Sequence, residues 1–195
     1  MATIGLKDLF YSTITEDSNG DETYGVPQRL AKAISADISI NLAEAILYAD
    51  DGIAESIKEF ASGTLTLNVD DIGNDAAADL TGAYIDDNGV LVSTGEGGAN
   101  ILPVAIGFRA KKANGKYRHF WLYRVRFGIP GTTLNTKADS ITFQTPTIAG
   151  TVMQRNKLDQ KGEHPWKTEV TEGDAGVSNN IITEWYDNVY EPEVS

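Results

Sequence analysis

The sequence predicts a mainly β, antiparallel domain carrying a short flanking helix and a C-terminal helix. Three observations carry that prediction. Apolar residues alternate with polar ones at a period of two in several short runs. Asn-Gly dipeptides sit between such runs, where reversals are needed. Only two stretches have the caps and spacing of helices, and both are short.

Taken along the chain, a strand from Leu9 to Thr15 ends before a turn at Asn19-Gly20. Ile38, Ile40 and Leu42 alternate with Asp37, Ser39 and Asn41, as in a strand with one core face. Leu65, Leu67 and Val69 repeat that pattern. Between them, residues 43–62 include Ile46, Leu47, Tyr48, Ile53, Ile57 and Phe60, too apolar for a freely solvated loop. They read either as two further strands or a short helix in the same core, or as a connection covered by a partner. Asn74 is placed to cap a helix through Leu80, stopped by Gly82. Asn88-Gly89 turns Tyr84-Ile85 back onto Val90-Leu91-Val92. Val104, Ile106 and Phe108 form the next core-facing set. Asn114-Gly115, suited to a type I′ turn, joins that strand to another. In the second strand Tyr117, His119, Trp121, Tyr123, Val125 and Phe127 share one face; Arg118, Phe120, Leu122, Arg124 and Arg126 share the other. Residues 154–176 are polar and rich in turns, an extended join to the last helix. That helix is capped by Ser178, striped by Ile181, Ile182, Trp185, Tyr186 and Val189, and ended by Pro192. The expected organisation is a β-rich domain over residues 1–155. A C-terminal extension over 156–195 packs on the same domain or on a neighbour.

The 195 residues suffice for a sizeable core. With no cysteine, disulfides, thiolate catalysis and cysteine-based zinc sites are excluded. No apolar run approaches the ~20 residues needed to span a bilayer, so no membrane insertion is expected. The net charge is -12 and unevenly placed. Residues 1–108 hold 18 acids against four bases, a balance of -14. Residues 109–126 hold seven bases and no acid. Such a stripe fits a complementary surface, such as another copy of the chain, or a solvated hairpin balanced by nearby carboxylates. The acidic body disfavours sequence-specific nucleic-acid binding.

No catalytic constellation emerges, and an enzyme is not expected. His119 and His164 lack metal-spaced partners. Gly115-Lys116 lacks the glycines and hydroxyl of a phosphate loop. Asp17 to Asp21 opens like a calcium loop, but Glu22 and Gln28 occupy positions where glycine and a bidentate glutamate belong. Asp50-Asp51, Asp70-Asp71 and Asp86-Asp87 are adjacent in sequence, which on a strand sends them to opposite faces. No metal and no cofactor are expected.

Several segments, in this order, resemble the major tail proteins of siphophages and related prophages of Gram-positive bacteria. They are Met1 to Leu9, Leu42-Ala43-Glu44-Ala45 with Leu47 to Asp51, Lys58-Glu59-Phe60 with Gly63 to Leu67, Val104 to Arg109, Phe120 to Val125 and Thr145 to Thr151. The resemblance implies a β-sandwich or barrel-like tail-tube core flanked by a helix. It implies stacked rings, commonly hexameric, forming a tube through which DNA passes non-specifically. The implied partners are the chain itself and tape measure, distal tail and terminator proteins. The implied locations are the host cytoplasm during assembly and then the virion tail. Under this reading Leu47, Tyr48, Asp50, Asp51, Ile53, Ile57 and Phe60 are candidates for an inter-ring contact loop. Arg109, Arg118, Phe120, Leu122, Arg124 and Arg126 are candidates for a subunit-contact strand. Carboxylates among residues 1–108, not individually assignable, are candidates to line the lumen. The competing expectation is a β-rich carbohydrate- or host-surface-binding module of a phage particle.

Overall fold

The computed structural model describes residues 2–49, 52–95, 101–132, 136 and 143–192, with the side chains of 48, 49 and 52–54 outside the description. The described residues are mainly antiparallel β with two short helices. Its strands are β1 (Thr3–Glu16), β2 (Glu22–Tyr24), β3 (Gln28–Ala31), β4 (Ala33–Ala49), β5 (Gly52–Val69), β6 (Tyr84–Ile85), β7 (Leu91–Val92), β8 (Val104–Lys112), β9 (Tyr117–Phe127), β10 (Thr147–Met153) and β11 (Lys167–Thr171). The helices are α1 (Asn74–Thr81) and α2 (Asn179–Thr183).

The main sheet runs β2-β1-β8-β9-β10-β5-β4, with β3 added to β1 and β11 to β9. Lys32 alone separates β3, at one edge, from β4, at the other. Asp70 fastens that junction: its Oδ1 accepts from the Lys32 amide at 2.8 Å, and its own amide donates to the Lys32 carbonyl. The sheet therefore curls until its edges approach, giving a barrel-like body. Leu9, Tyr11, Leu65, Leu67, Val69, Val104, Ile106, Leu122 and Val152 fill its interior, and Ala76 and Leu80 of α1 help close it.

The three Asn-Gly reversals share one construction, which at Asn114-Gly115 differs from the expected type I′ turn. At Asn114-Gly115 the Gly115 amide donates to the Lys112 carbonyl and the Lys112 amide to the Lys116 carbonyl. Only the glycine takes positive φ, at 84°. This is a three-residue loop ending in a glycine bulge, which needs one left-handed residue where type I′ needs two. The turns at Gly20 and Gly89 follow the same plan and begin with Asp17 and Asp86. Each aspartate Oδ1 accepts two backbone amides, from Asn19 and Asp21 and from Asn88 and Val90. Those amides hold both carboxyls below the ordinary value. The Asp17 carboxylate thus organises a hairpin tip.

Three sequence expectations change in detail. Gly73, without a side-chain bond, caps α1, and Asn74 is its first residue. Ser178 does cap α2, its hydroxyl accepting from the Ile181 amide. That helix stops at Thr183, well before Pro192, with Glu184 as cap, so Trp185 and Tyr186 follow it in a turn and Val189 lies beyond that turn. In β9, Val125 opposes Val104 while Leu122 opposes Ile106, so Tyr123 and Arg124 both face Ala105. That extra residue ends the predicted common face. Trp121 and Tyr123 join an outer aromatic cluster, whereas Val125 and Phe127 turn into the inner core with Leu122.

The outer cluster covers the other side of β1, β8 and β9. Ala105, Trp121 and Tyr123 meet Trp185 and Val189 there, with Phe10, Tyr24, Ile181, Tyr186 and Tyr190 around them. Gly107 lies beneath the Trp121 indole, where a β-carbon would come within 2.7 Å of the ring. The C-terminal segment is anchored by Trp121 Nε1 donating to the Trp185 carbonyl and Tyr123 Oη donating to the Tyr190 carbonyl, each at 2.9 Å. Residues beyond 156 thus extend the same sheet through β11 and cover its outer face.

Candidate assembly surface

The described residues of 43–62 are strand, and they form an arm. Strands β4 and β5 pair from Ala33↔Val69 to Ala49↔Gly52. Strand β10 accompanies β5 only from Asn68 to Gly63. Beyond Gly63 the ribbon has two strands and no third neighbour among the described residues. From Leu42↔Phe60 to Ala49↔Gly52, roughly eight residues at ~3.3 Å each give it a length of about 25 Å.

The register explains how the arm leaves the body. Asn41 opposes Ser62 and Leu42 opposes Phe60, which leaves Ala61 as an extra residue on β5. Such a bulge bends the ribbon and increases its twist. Gly63 sits at the root because space there is short: a β-carbon would lie 3.1 Å from the Ser39 carbonyl oxygen and 3.3 Å from Val152 Cβ.

Past the root, period-two alternation no longer means a buried face. Ile38 packs against the inner core, but Ile40 is 37% exposed and Leu42 57%. The sequence expectation of a core-facing set at 38, 40 and 42 therefore holds only for its first member. Leu47 and Ile57 are 57% and 54% exposed, and Ile46 is 40% exposed. Ile46 opposes Ser56 and Leu47 opposes Glu55, so adjacent pairs present apolar groups on both faces. Glu44 and Lys58, opposite each other, form an ion pair at 3.0 Å. In solvent such a pair adds little. A solitary two-stranded hairpin is marginal in water. The outer edge of β4 has no strand beside it among the described residues, which leaves a template for further pairing.

The candidate loop residues divide accordingly. Leu47 and Ile57 stand exposed on the arm. Phe60 is at the root, half-buried, its ring stacked on Trp166 at 4.5 Å. Tyr48 and Ile53 oppose each other in the backbone register, their side chains outside the described atoms. Asp50 and Asp51 lie outside the described residues.

The candidate contact strand is placed differently. Strand β9 lies within the sheet, with β8 along one edge and β10 and β11 along the other. Arg109 pairs with Asp8 and lies 4.4 Å over the Tyr117 ring. Asp8 takes a left-handed φ of 53° at a break in the β1 register and also receives Arg29 at 2.8 Å. Arg118 donates to Thr171 Oγ1, Phe120 stacks on Phe108 and Leu122 is fully buried. Arg124 pairs with the buried Glu22 and with Glu16 at 2.8 Å, while Glu22 also accepts the Asn156 amide. Arg126 is exposed. Arg109 and Arg124 of the basic stripe are thus balanced within the chain, by carboxylates distant in sequence.

Sequence reasoning missed the support of the arm by the C-terminal segment. Trp166 comes from residues read only as an extended join, and nothing local connects it with Phe60.

No protein-family model matches the sequence, and no curated protein matches it. One solved structure with a similar course of chain is the cap of the anti-feeding prophage, described as a tube terminating cap. It is 12% identical, over 88% of this chain and 93% of that one, with a TM-score of 0.44.

Proposed function

We propose that this chain is a structural subunit of a phage tail that builds the tail tube from copies of itself. The observation that carries the reading is the β4–β5 arm, with apolar groups exposed on both faces and the outer β4 edge unpaired among the described strands. Burying one such leucine or isoleucine contributes about 1.5–3 kcal/mol, so several together stabilise a contact between copies. In this reading the arm seats on a different surface of the next copy. Such a heterologous contact closes into rings or extends into a tube. The resemblance to major tail proteins supports the same reading, with hexameric stacked rings as its finer form. Tape measure, distal tail and terminator proteins are then its partners, the host cytoplasm its place of assembly, and the virion tail its destination. An acidic lumen would let DNA pass without adhering. The role is structural and not catalytic.

The test is negative-stain electron microscopy of the purified protein, concentrated at several salt levels, beside a Leu47→Asn/Ile57→Asn double variant. Rings or hollow tubes are expected from the parent protein. The double variant is expected to remain monomeric with an unchanged melting temperature, since both side chains are already in solvent. Tubes formed equally well by the double variant would remove the arm from the contact. Saturable glycan binding by a parent protein that never assembles would favour a surface-binding module.

A further inference from the structure

The arm departs from the body at one point, and that point is clamped by a distant part of the chain. At Ala61 the bulge gives the ribbon a pivot, just past the last β10 partner of β5. The same bulge returns Phe60 to the face that continues the core, where it meets Trp166. The two rings are 3° from parallel with centroids 4.5 Å apart. Gln154 Nε2 is 3.5 Å from the Phe60 carbonyl, a second tie to the same residue.

Trp166 is itself held from behind. Its carbonyl accepts from the Tyr123 amide at 3.1 Å, and the Pro165 carbonyl accepts from the Arg155 amide at 3.1 Å. Lys167, over the indole at 5.2 Å, then begins β11, which pairs with β9 from Leu122 to Arg118. An unbroken set of contacts therefore joins the arm root to the body through residues 154–167.

We propose that Trp166 is a positioning residue that sets the direction of the arm, by stacking on Phe60 beside the Ala61 bulge. What the direction serves, contact with a second copy, rests on the function proposed above; the clamp itself does not. A ribbon free to swing would meet its receiving surface in one orientation among many, and ordering it would weaken association. A ribbon aimed in advance avoids that loss. The C-terminal segment thereby acts on assembly without touching the neighbouring copy.

The experiment measures direction in the monomer. The absence of native cysteine allows paired spin labels at Glu55→Cys and Lys111→Cys, both exposed positions. Pulsed electron–electron resonance then reports the distribution of arm-to-body distances. A narrow distribution is expected in the labelled parent and in Trp166→Phe, which keeps a ring to stack. A clearly broadened or displaced one is expected in Trp166→Ala. Phe60→Ala removes the stack from the arm side and is expected to broaden the distribution in the same way, even if Trp166→Ala fails to fold. An unchanged distribution in a folded alanine variant would overturn the proposal. Because the distances are read on dispersed monomer, they decide the clamp even if no tube ever forms.

Discussion

The inner and outer faces of the β1–β8–β9 sheet are both apolar, yet they are built in different ways. The inner face is mainly aliphatic and drawn from most strands of the main sheet, with Leu65, Leu67, Val104, Ile106, Leu122 and Val152 essentially inaccessible. The outer face is aromatic and is covered by one segment of chain. Its buried polar atoms are less well matched. Among the described residues, His119 Nδ1, Arg155 Nε, Trp185 Nε1 and Tyr186 Oη lack partners, whereas the inner cluster contains no titratable group beyond Tyr11. The Tyr11 phenol donates to Asp79 at 2.8 Å. The inner layer therefore holds the whole fold together, and the outer layer is a cover that can loosen separately.

The largest effect expected from this difference is at Leu67, fully buried between β4 and β10 partners. Leu67→Ala should cost about 2–5 kcal/mol, through lost burial and a cavity that the barrel cannot close. Chemical denaturation monitored by far-ultraviolet circular dichroism checks this. The loss should appear as one cooperative transition shifted to lower denaturant. A loss below about 1 kcal/mol would mean that the inner layer is not the common support.

Trp185→Ala should act on the other face and act locally. Trp185 is 3% exposed, stacks on Tyr190 at 5.1 Å, and its carbonyl receives the Trp121 indole. Removing the ring uncovers the outer aromatics but leaves the barrel's own contacts intact. Limited proteolysis should cut residues 172–192 faster than in the parent, while the main unfolding transition moves less than in Leu67→Ala. If the main transition moves as far as in Leu67→Ala, the two layers unfold as one and the distinction fails.

The same difference governs what the sequence makes legible. The inner layer is readable because burial there follows strand alternation: Leu65, Leu67 and Val69 are apolar at alternate positions and each is 0% exposed. Alternation also has limits that no local pattern reveals. At Ile38, Ile40 and Leu42 it is equally regular, but β10 stops at Gly63 and the core-facing residues beyond it reach solvent. Whether a face is buried depends on which strands lie beside it, and that is set by pairing distant in sequence. The extra residue at Tyr123-Arg124 is similar, since one unpaired position sends Val125 and Phe127 to the inner face. The outer layer was legible only as a stripe on the last helix. Its anchors join Trp121 to Trp185 and Tyr123 to Tyr190, pairs that no periodicity links. The candidate arm was legible as an anomaly, because residues 43–62 are too apolar for a freely solvated loop. Its angle and its clamp were not, since Phe60 and Trp166 meet only after the sheet has formed.

The smallest effect expected is also the most selective, because it acts through the outer layer alone. His119 is 2% exposed, with its Nε2 3.1 Å from Glu172 Oε1 and its other nitrogen without a partner. The rings of Trp185 and Tyr186 lie against it from the C-terminal segment, and Arg109 and Asp8 act on it from β8 and β1. Burial is the largest influence and lowers the histidine pKa from its ordinary 6.5; Glu172 opposes the shift without cancelling it. A lowered value in the folded state means that the unfolded chain binds the proton first as the pH falls. The contribution to stability is then complete above about 6.5 and declines below it, toward the folded value. Denaturant midpoints measured between pH 7.5 and 5.5 should fall in the parent. They should fall less steeply in His119→Gln, whatever that substitution costs at neutral pH. Hydrogen exchange at pH 5.5 should rise in residues 178–190 before it rises in β5, because the proton enters beneath the cover and not inside the barrel. Exchange rising first in β5 would place the acid-sensitive group in the inner layer, where the described cluster has no histidine.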